Sequence, residues 1–167
     1  EMRSGKWKSG SATLRLKGCM RHVNYNMRDM VAYRVKDVSH PRTGNTWCIY
    51  PSYDYCHCIV DSLESITHSL CTLEFETRRA PYFWILEKLK LDAPVVWEYA
   101  RLNVGYNVLS KRKLQTLIDM DIIGGFDDPR VLTIAGMRRR GYTASAINNF
   151  CNSLGATRGD VLISFGV

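Results

Sequence analysis

Between Tyr55 and Tyr99 the apolar residues change spacing from segment to segment, and this succession limits the fold more than any other feature of the chain. Tyr55–Ile66 carries Ile59, Val60, Leu63 and Ile66 near helical spacing, which predicts a helix. Thr67–Phe75 reads as a buried strand that leaves a polar edge. Pro81–Leu89 is amphipathic, with Pro81 suited to the first turn of a second helix. Pro94–Tyr99 is apolar and aromatic and predicts another strand. Helix, strand, helix, strand is the pattern of an α/β layer with a parallel sheet.

The flanks differ in character. Residues 1–10 are polar and suit the end of a helix. Ser11–Lys17 and Val31–Lys36 alternate apolar and polar, the period of half-buried strands. Pro41–Asn45 is turn chemistry, and Trp47–Pro51 predicts a third strand. This first third has no helices to serve as crossovers. Beyond Lys111 no strand is expected. Leu114–Asp119, Asp128–Arg139 and Thr143–Leu154 read as helices, separated by Gly124-Gly125 and Gly141. Asp127 or Asp128 would cap the second, with Pro129 in its first turn. The short apolar tail from Gly159 is assigned no element. Three pieces of unlike character follow one another: β-rich, α/β and all-α.

Composition narrows the function. The 167 residues are 46% hydrophobic and 23% charged, as in a globular protein. No apolar run approaches the ~20 residues of a bilayer span, so no membrane partner is expected. The first ten residues hold no signal-peptide core. A net charge of +7 favours a polyanionic partner. Of six cysteines only Cys56 and Cys58 are close, and alternate helical residues do not share a face. Without a second pair at zinc-site spacing no metal site is expected, and the cysteines read as reduced thiols of a cytosolic protein.

Leu109-Ser110-Lys111-Arg112-Lys113 sets a serine and three cations in a turn just ahead of a helix. Backbone N–H groups, a hydroxyl and ammonium groups together suit phosphate oxygens. The wording Val108-Leu109-Ser110-Lys111-Arg112-Lys113-Leu114 resembles the lysine loop of class I aminoacyl-tRNA synthetases of the glutaminyl and glutamyl type. Further segments match the glutaminyl-tRNA synthetases in order and spacing. They are Met27-Arg28-Asp29, Tyr33-Arg34, Thr43-Gly44-Asn45, Tyr50–Tyr55, Ile66–Phe75, Trp97-Glu98-Tyr99, Arg101-Leu102-Asn103, Asp127–Arg130 and Arg138–Gly141. The match runs from Glu1 to about Arg158.

The resemblance implies an α/β fold of three parts. Residues 1–50 would be the C-terminal part of the acceptor-stem-binding insertion, and 51–113 the second half of the Rossmann-like catalytic domain with its lysine loop. Residues 114–167 would begin the helical stem-contact region. The family's two-histidine signature has no counterpart, since His22, His40, His57 and His68 are isolated. The acidic pocket residue of the first half and the anticodon-binding barrels have none either. The expectation is a cytoplasmic glutamine-charging enzyme of which this chain is a fragment, inactive alone. It would use ATP with Mg²⁺, L-glutamine and tRNA(Gln), and a multi-synthetase complex is a partner open to the parent.

The resemblance also implies residue roles. Tyr53 and His57, one helical turn apart, would line the glutamine and adenylate pocket, with Cys71 and its neighbour Thr72. Glutamate-charging relatives place arginine where Cys71 stands. A neutral thiol cannot pair a substrate carboxylate, so Cys71 favours an amide. Arg101 and Leu102 would lie near ATP, Leu102 by its main chain, although Arg101 also suits a structural ion pair. Ser110 and Lys111 would bind the phosphates, with Lys111 stabilising charge as pyrophosphate leaves. Arg112 and Lys113 suit solvent. Arg78, Arg79, Arg130, Arg138, Arg139 and Arg140 would contact RNA through phosphate or ribose. At least one of Arg138–Arg140 should pair with an acid such as Asp127 or Asp128. Two departures stand out: Thr77 where some members have a base-reading aspartate, and Val96 where some have glutamine. The rival readings are a glutamate-charging enzyme and a non-catalytic tRNA-binding module.

Overall fold

The computed structural model describes residues 1–164. The chain separates into two compact units, Glu1–Glu98 and Tyr99 onward. It is an α/β structure whose sheets include both antiparallel and parallel pairs.

The first unit opens with a short 3₁₀ turn, Met2–Ser4, and not with the end of an α-helix. Three strands, β1 (Thr13–Arg15), β2 (Val31–Val35) and β3 (Ile49–Pro51), form an antiparallel sheet in chain order. Gly18 has a steric role in the link between β1 and β2. A Cβ there would fall 2.1 Å from the Met27 carbonyl oxygen, which accepts from Cys19 N. The register of β3 carries straight into a helix. Ser52 N donates to Ala32 O at 2.8 Å, while its hydroxyl accepts from Tyr55 N and caps α1 (Tyr53–Leu63). Asp54 adds a negative charge to that first turn.

β4 (His68–Thr72) follows α1 and pairs with β5 (Val95–Tyr99), the two joined through α2 (Arg79–Leu89). The strand expected over Thr67–Phe75 is therefore half right. Leu73–Arg78 is a 3₁₀ helix running into α2. Its alternation is misleading because Phe75 is recruited to a ring contact with Tyr53 instead of a strand face. The core gathers Met30, Cys58, Tyr82, Ile85, Leu86 and Val96. Met30 precedes β2, so the β-rich part and the helical layer share one core. Asn24 Nδ2 donates to Thr77 O and Asn26 Nδ2 to Thr77 Oγ1, tying the loop before β2 to the 3₁₀ helix.

The second unit contains β6 (Asn103–Val104), α3 (Lys111–Asp119), α4 (Ile134–Arg139), α5 (Ala144–Leu154) and β7 (Leu162–Ile163). Two expectations fail here. β7 pairs parallel with β6, with Gly105 N donating to Ile163 O, so strands do not end at Lys111. The helix expected from Asp128 begins only at Ile134, capped by Thr133. Asp128 is not a cap. It accepts from Gly124 N, Arg130 N and the Arg130 guanidinium, which closes a non-helical loop. Gly136 packs that loop tightly, since a Cβ would lie 2.5 Å from Val131 O. α5 starts as expected, with Thr143 accepting from Ala146 N. α3 begins three residues earlier than expected, which puts the three cations inside its first turn.

Candidate functional site

In the first unit, the N-terminal turns of α1 and the end of β4 bring Tyr53, His57 and Cys71 together. With Asp54, Phe75, Arg78, Arg79, Tyr82, Val96 and Glu98 they line a small cavity of about 20 Å³. Thr72 follows Cys71 but is not part of this lining. The rings of Tyr53 and His57 stack at 4.9 Å with 27° between their planes. The Tyr53 hydroxyl lies 3.8 Å from Cys71 Sγ. Burial, with that contact to Cys71 second, pushes the Tyr53 phenol up to about 12, so it remains a neutral O–H.

Behind Tyr53 is a polar network that sequence reasoning missed. His57 Nε2 lies 3.1 Å from Asp61 Oδ2 and 3.3 Å from Ser69 Oγ, and the Tyr82 hydroxyl donates to Asp61 Oδ2 at 2.8 Å. Burial and this bond to Asp61 both raise the Tyr82 phenol. The i, i+4 spacing of His57 and Asp61 was the available signal.

The arginines expected to meet RNA are distributed unevenly. Arg78 and Arg79 line the cavity, each against a carboxylate. Arg78 Nη1 is 2.9 Å from Asp54 Oδ1, an ion pair without hydrogen-bond alignment, and its guanidinium lies over Phe75. Arg79 Nη1 donates at 3.2 Å to Glu98, whose side chain is 2% exposed. The lining thus holds two arginines and two carboxylates, balanced in charge.

In the second unit Arg101 and Leu102 are exposed just before β6. Asn103, Asn107, Leu109 and Asp160 line an open cavity of about 340 Å³ with Val104 and Leu162. Ser110 is the N-cap of α3, but its side chain makes no capping bond. Lys111, Arg112 and Lys113 occupy the first turn with no acid among them, and no cation occupies the last turn. That polarity opposes the helix dipole by a few tenths of a kcal/mol per charge, about 0.3 or more, unless an anion is present. Arg130 is held bidentate by Asp128, which lowers the Asp128 carboxyl well below the usual range. Arg139 Nη1 pairs with Asp127 at 3.0 Å, the expected pairing within the run, while Arg140 lies over Tyr142. Arg138 lies in the last turn of α4 beside Arg139 and is exposed. Among the described residues no cluster of three or more His, Cys, Asp or Glu could hold a metal ion.

Residues 1–164 match the family model for class I tRNA synthetases (E and Q), catalytic domain. The chain belongs to this family. It is 59% identical over 160 residues to the cytoplasmic glutamine–tRNA ligase of Arabidopsis thaliana, covering 96% of this chain and 20% of that protein. It is 53% identical over 156 residues to glutamine–tRNA ligase of Bos taurus, covering 93% of this chain and 20% of the other. The corresponding protein of Aliivibrio salmonicida is 48% identical over 167 residues, covering 99% and 30%. The chain therefore spans about a fifth of the length of its plant and animal relatives. As a class I synthetase segment it carries arginine at neither end of the Tyr53–Cys71 contact. No helix among the described residues is long and apolar enough to cross a membrane.

Proposed function

We propose that this chain is the glutamine-selecting and phosphate-binding part of an ATP-dependent glutamine–tRNA ligase. The enzyme activates glutamine as an aminoacyl-adenylate and transfers it to tRNA(Gln), with Mg²⁺ accompanying the ATP. In this reading residues 1–50 end the acceptor-stem insertion, 51–113 are the second half of the Rossmann-like domain, and 114–167 begin the stem-contact region. A cytoplasmic location and a multi-synthetase complex belong to the same reading of the whole protein.

One observation carries the choice of substrate. The cavity at Tyr53 and Cys71 is balanced in charge, with both of its arginines facing carboxylates. A substrate carboxylate would enter without a dedicated cation, and burying an unpaired charge is costly. A neutral amide suits it, with the Tyr53 hydroxyl as a fixed neutral partner. The glutamate-charging alternative lacks its cation at Cys71.

Lys111 and Ser110 bind phosphate. The reversed polarity of the first turn of α3 supports this, because an anion there removes the repulsion. Lys111 then stabilises the charge that develops as the carboxylate of glutamine displaces pyrophosphate. Arg101 and the Leu102 main chain lie with ATP. Thr72 supports the pocket from beside Cys71. Arg138, Arg139, Arg140 and Arg130 meet the RNA backbone, and Arg78 and Arg79 do so from the rim of the cavity.

The test is amino-acid-dependent ATP–pyrophosphate exchange, with tRNA present, in the full-length protein and in the 167-residue chain. Glutamine-dependent exchange is expected from the former alone. Cys71→Arg should reduce kcat/KM for glutamine by about 100-fold, the ~2.7 kcal/mol of a misplaced buried cation, and leave glutamate the better substrate. Equal use of glutamine by the Cys71→Arg variant would refute the selectivity argument.

A further inference from the structure

The network behind Tyr53 does more than fill space. Asp61 Oδ2 faces two donors, the Tyr82 hydroxyl at 2.8 Å and His57 Nε2 at 3.1 Å, with the His57 and Asp61 side chains 23% and 14% exposed. An ionised carboxylate accepts and never donates. Nε2 must therefore carry a proton directed at Asp61. Ser69 Oγ, 3.3 Å from the same nitrogen, then has no lone pair there to donate to. In the Nε2–H tautomer Nδ1 is the acceptor of the ring.

The ring is fixed on several sides. Asp61 holds one edge, Tyr53 stacks on a face, and Tyr82 meets it edge-on at 5.4 Å and 74°. Tyr53 is in turn held by Phe75 at 5.2 Å, and its hydroxyl reaches Cys71. A turn of the imidazole would move the surface on which Tyr53 rests.

We propose that Asp61 is a positioning residue for amide recognition: through His57 and Tyr82 it fixes the Nε2–H tautomer and the ring plane on which Tyr53 stacks. This rests on the glutamine reading above. Asp61 touches no substrate in this role. It acts on the amide through the placement of the Tyr53 hydroxyl, so it governs binding of the amino acid and not the transfer of charge at Lys111.

Two measurements test it. Long-range ¹H–¹⁵N spectra of the imidazoles in the 167-residue chain should show His57 as the Nε2–H tautomer, and Asp61→Asn should convert it to a mixture. In the full-length protein, Asp61→Asn should raise KM for glutamine about tenfold with kcat within about threefold, and Tyr82→Phe should raise it by less. Ile85→Val, a core change in the same unit, should leave KM unmoved. Should Asp61→Asn fail to fold, Tyr82→Phe carries the test, since it removes one bond and keeps the ring. An Nδ1–H tautomer in the unaltered chain, or an unchanged KM in the folded variants, overturns the proposal. A full-length protein that activates no glutamine overturns the functional reading, and the proposal with it, before any variant is compared.

Discussion

Arg79→Met tests how the charge balance of the cavity is maintained. Glu98 has a side chain only 2% exposed, and its carboxylate accepts from Arg79 Nη1 at 3.2 Å. Methionine keeps much of the aliphatic stem of arginine and removes the cation. Losing one partner of a fully buried pair costs ~3–5 kcal/mol. The Arg79 side chain is 42% exposed, so water screens part of the pair, and a charged hydrogen bond of ~1.5–3 kcal/mol is the better guide. We expect ~2 kcal/mol, within that range, or roughly 8–16 °C in Tm for a unit of this size. All four tryptophans, Trp7, Trp47, Trp84 and Trp97, belong to the first unit, so urea unfolding followed by tryptophan fluorescence reads that unit selectively. The double variant Arg79→Met/Glu98→Gln should recover more than half of the loss, because no carboxylate is then left buried without the guanidinium. A loss below ~0.5 kcal/mol, the value of a surface pair, would refute the argument that the pair is a buried electrostatic element.

Three further outcomes follow from the same packing. Burial holds Cys58 at about 11 and Tyr53 at about 12, and it also raises Tyr55 and Tyr82. These groups stay protonated in the folded unit while the unfolded chain loses protons, so stability should fall as pH rises from about 9 toward 12, and Tyr53→Phe should flatten the upper part of that slope. Asp128 has the opposite sign: its carboxyl is held low by Arg130 and by backbone N–H groups, so its contribution is present above about pH 4 and is lost on acidification. Asp128→Asn should remove that acid dependence, read by circular dichroism between pH 5 and about 2. Gly136→Ala would place a Cβ 2.5 Å from Val131 O and 2.6 Å from Asp128 O, so it should cost helical signal from α4 while tryptophan fluorescence stays unchanged.

The elements that were legible are those whose signals are local. Ser52, which caps α1 at a start two residues ahead of that expected at Tyr55, was a local signal left unread, while Thr143 before α5 and the alternation of Val31–Val35 act through neighbours within four residues. The Tyr53–His57 pair was readable for the same reason, since one helical turn separates them. The misread segments depend on distant partners. β7 has two residues and exists because Asn103 and Val104 pair with Leu162 and Ile163, nearly sixty residues away. The loop from Asp127 to Thr133 resembles a capped helix start, yet Asp128 serves Gly124 and Arg130. Nothing in the sequence around Glu98 marks it as buried, and its partner Arg79 lies nineteen residues away at the start of α2.

The distribution of charge adds an argument that composition alone obscures. Before Pro51 there are ten Lys and Arg against three Asp and Glu; from Pro51 onward there are thirteen of each. The whole excess of +7 therefore lies in the β-rich part, where Arg15 alone forms an ion pair with Asp29 among the pairs described. Within the first unit, the cavity at Tyr53 and Cys71 is balanced by its own arginine–carboxylate contacts. Exposed charge attracts a polyanion at long range and is screened by salt over about 10 Å. A cavity selecting an amide requires the reverse, local fields that cancel and an uncharged hydroxyl as its polar partner. In the proposed function, separating the two keeps the attraction for a phosphate backbone from becoming attraction for a substrate carboxylate, so that a cavity proposed to select an amide can share a core with so basic a sheet.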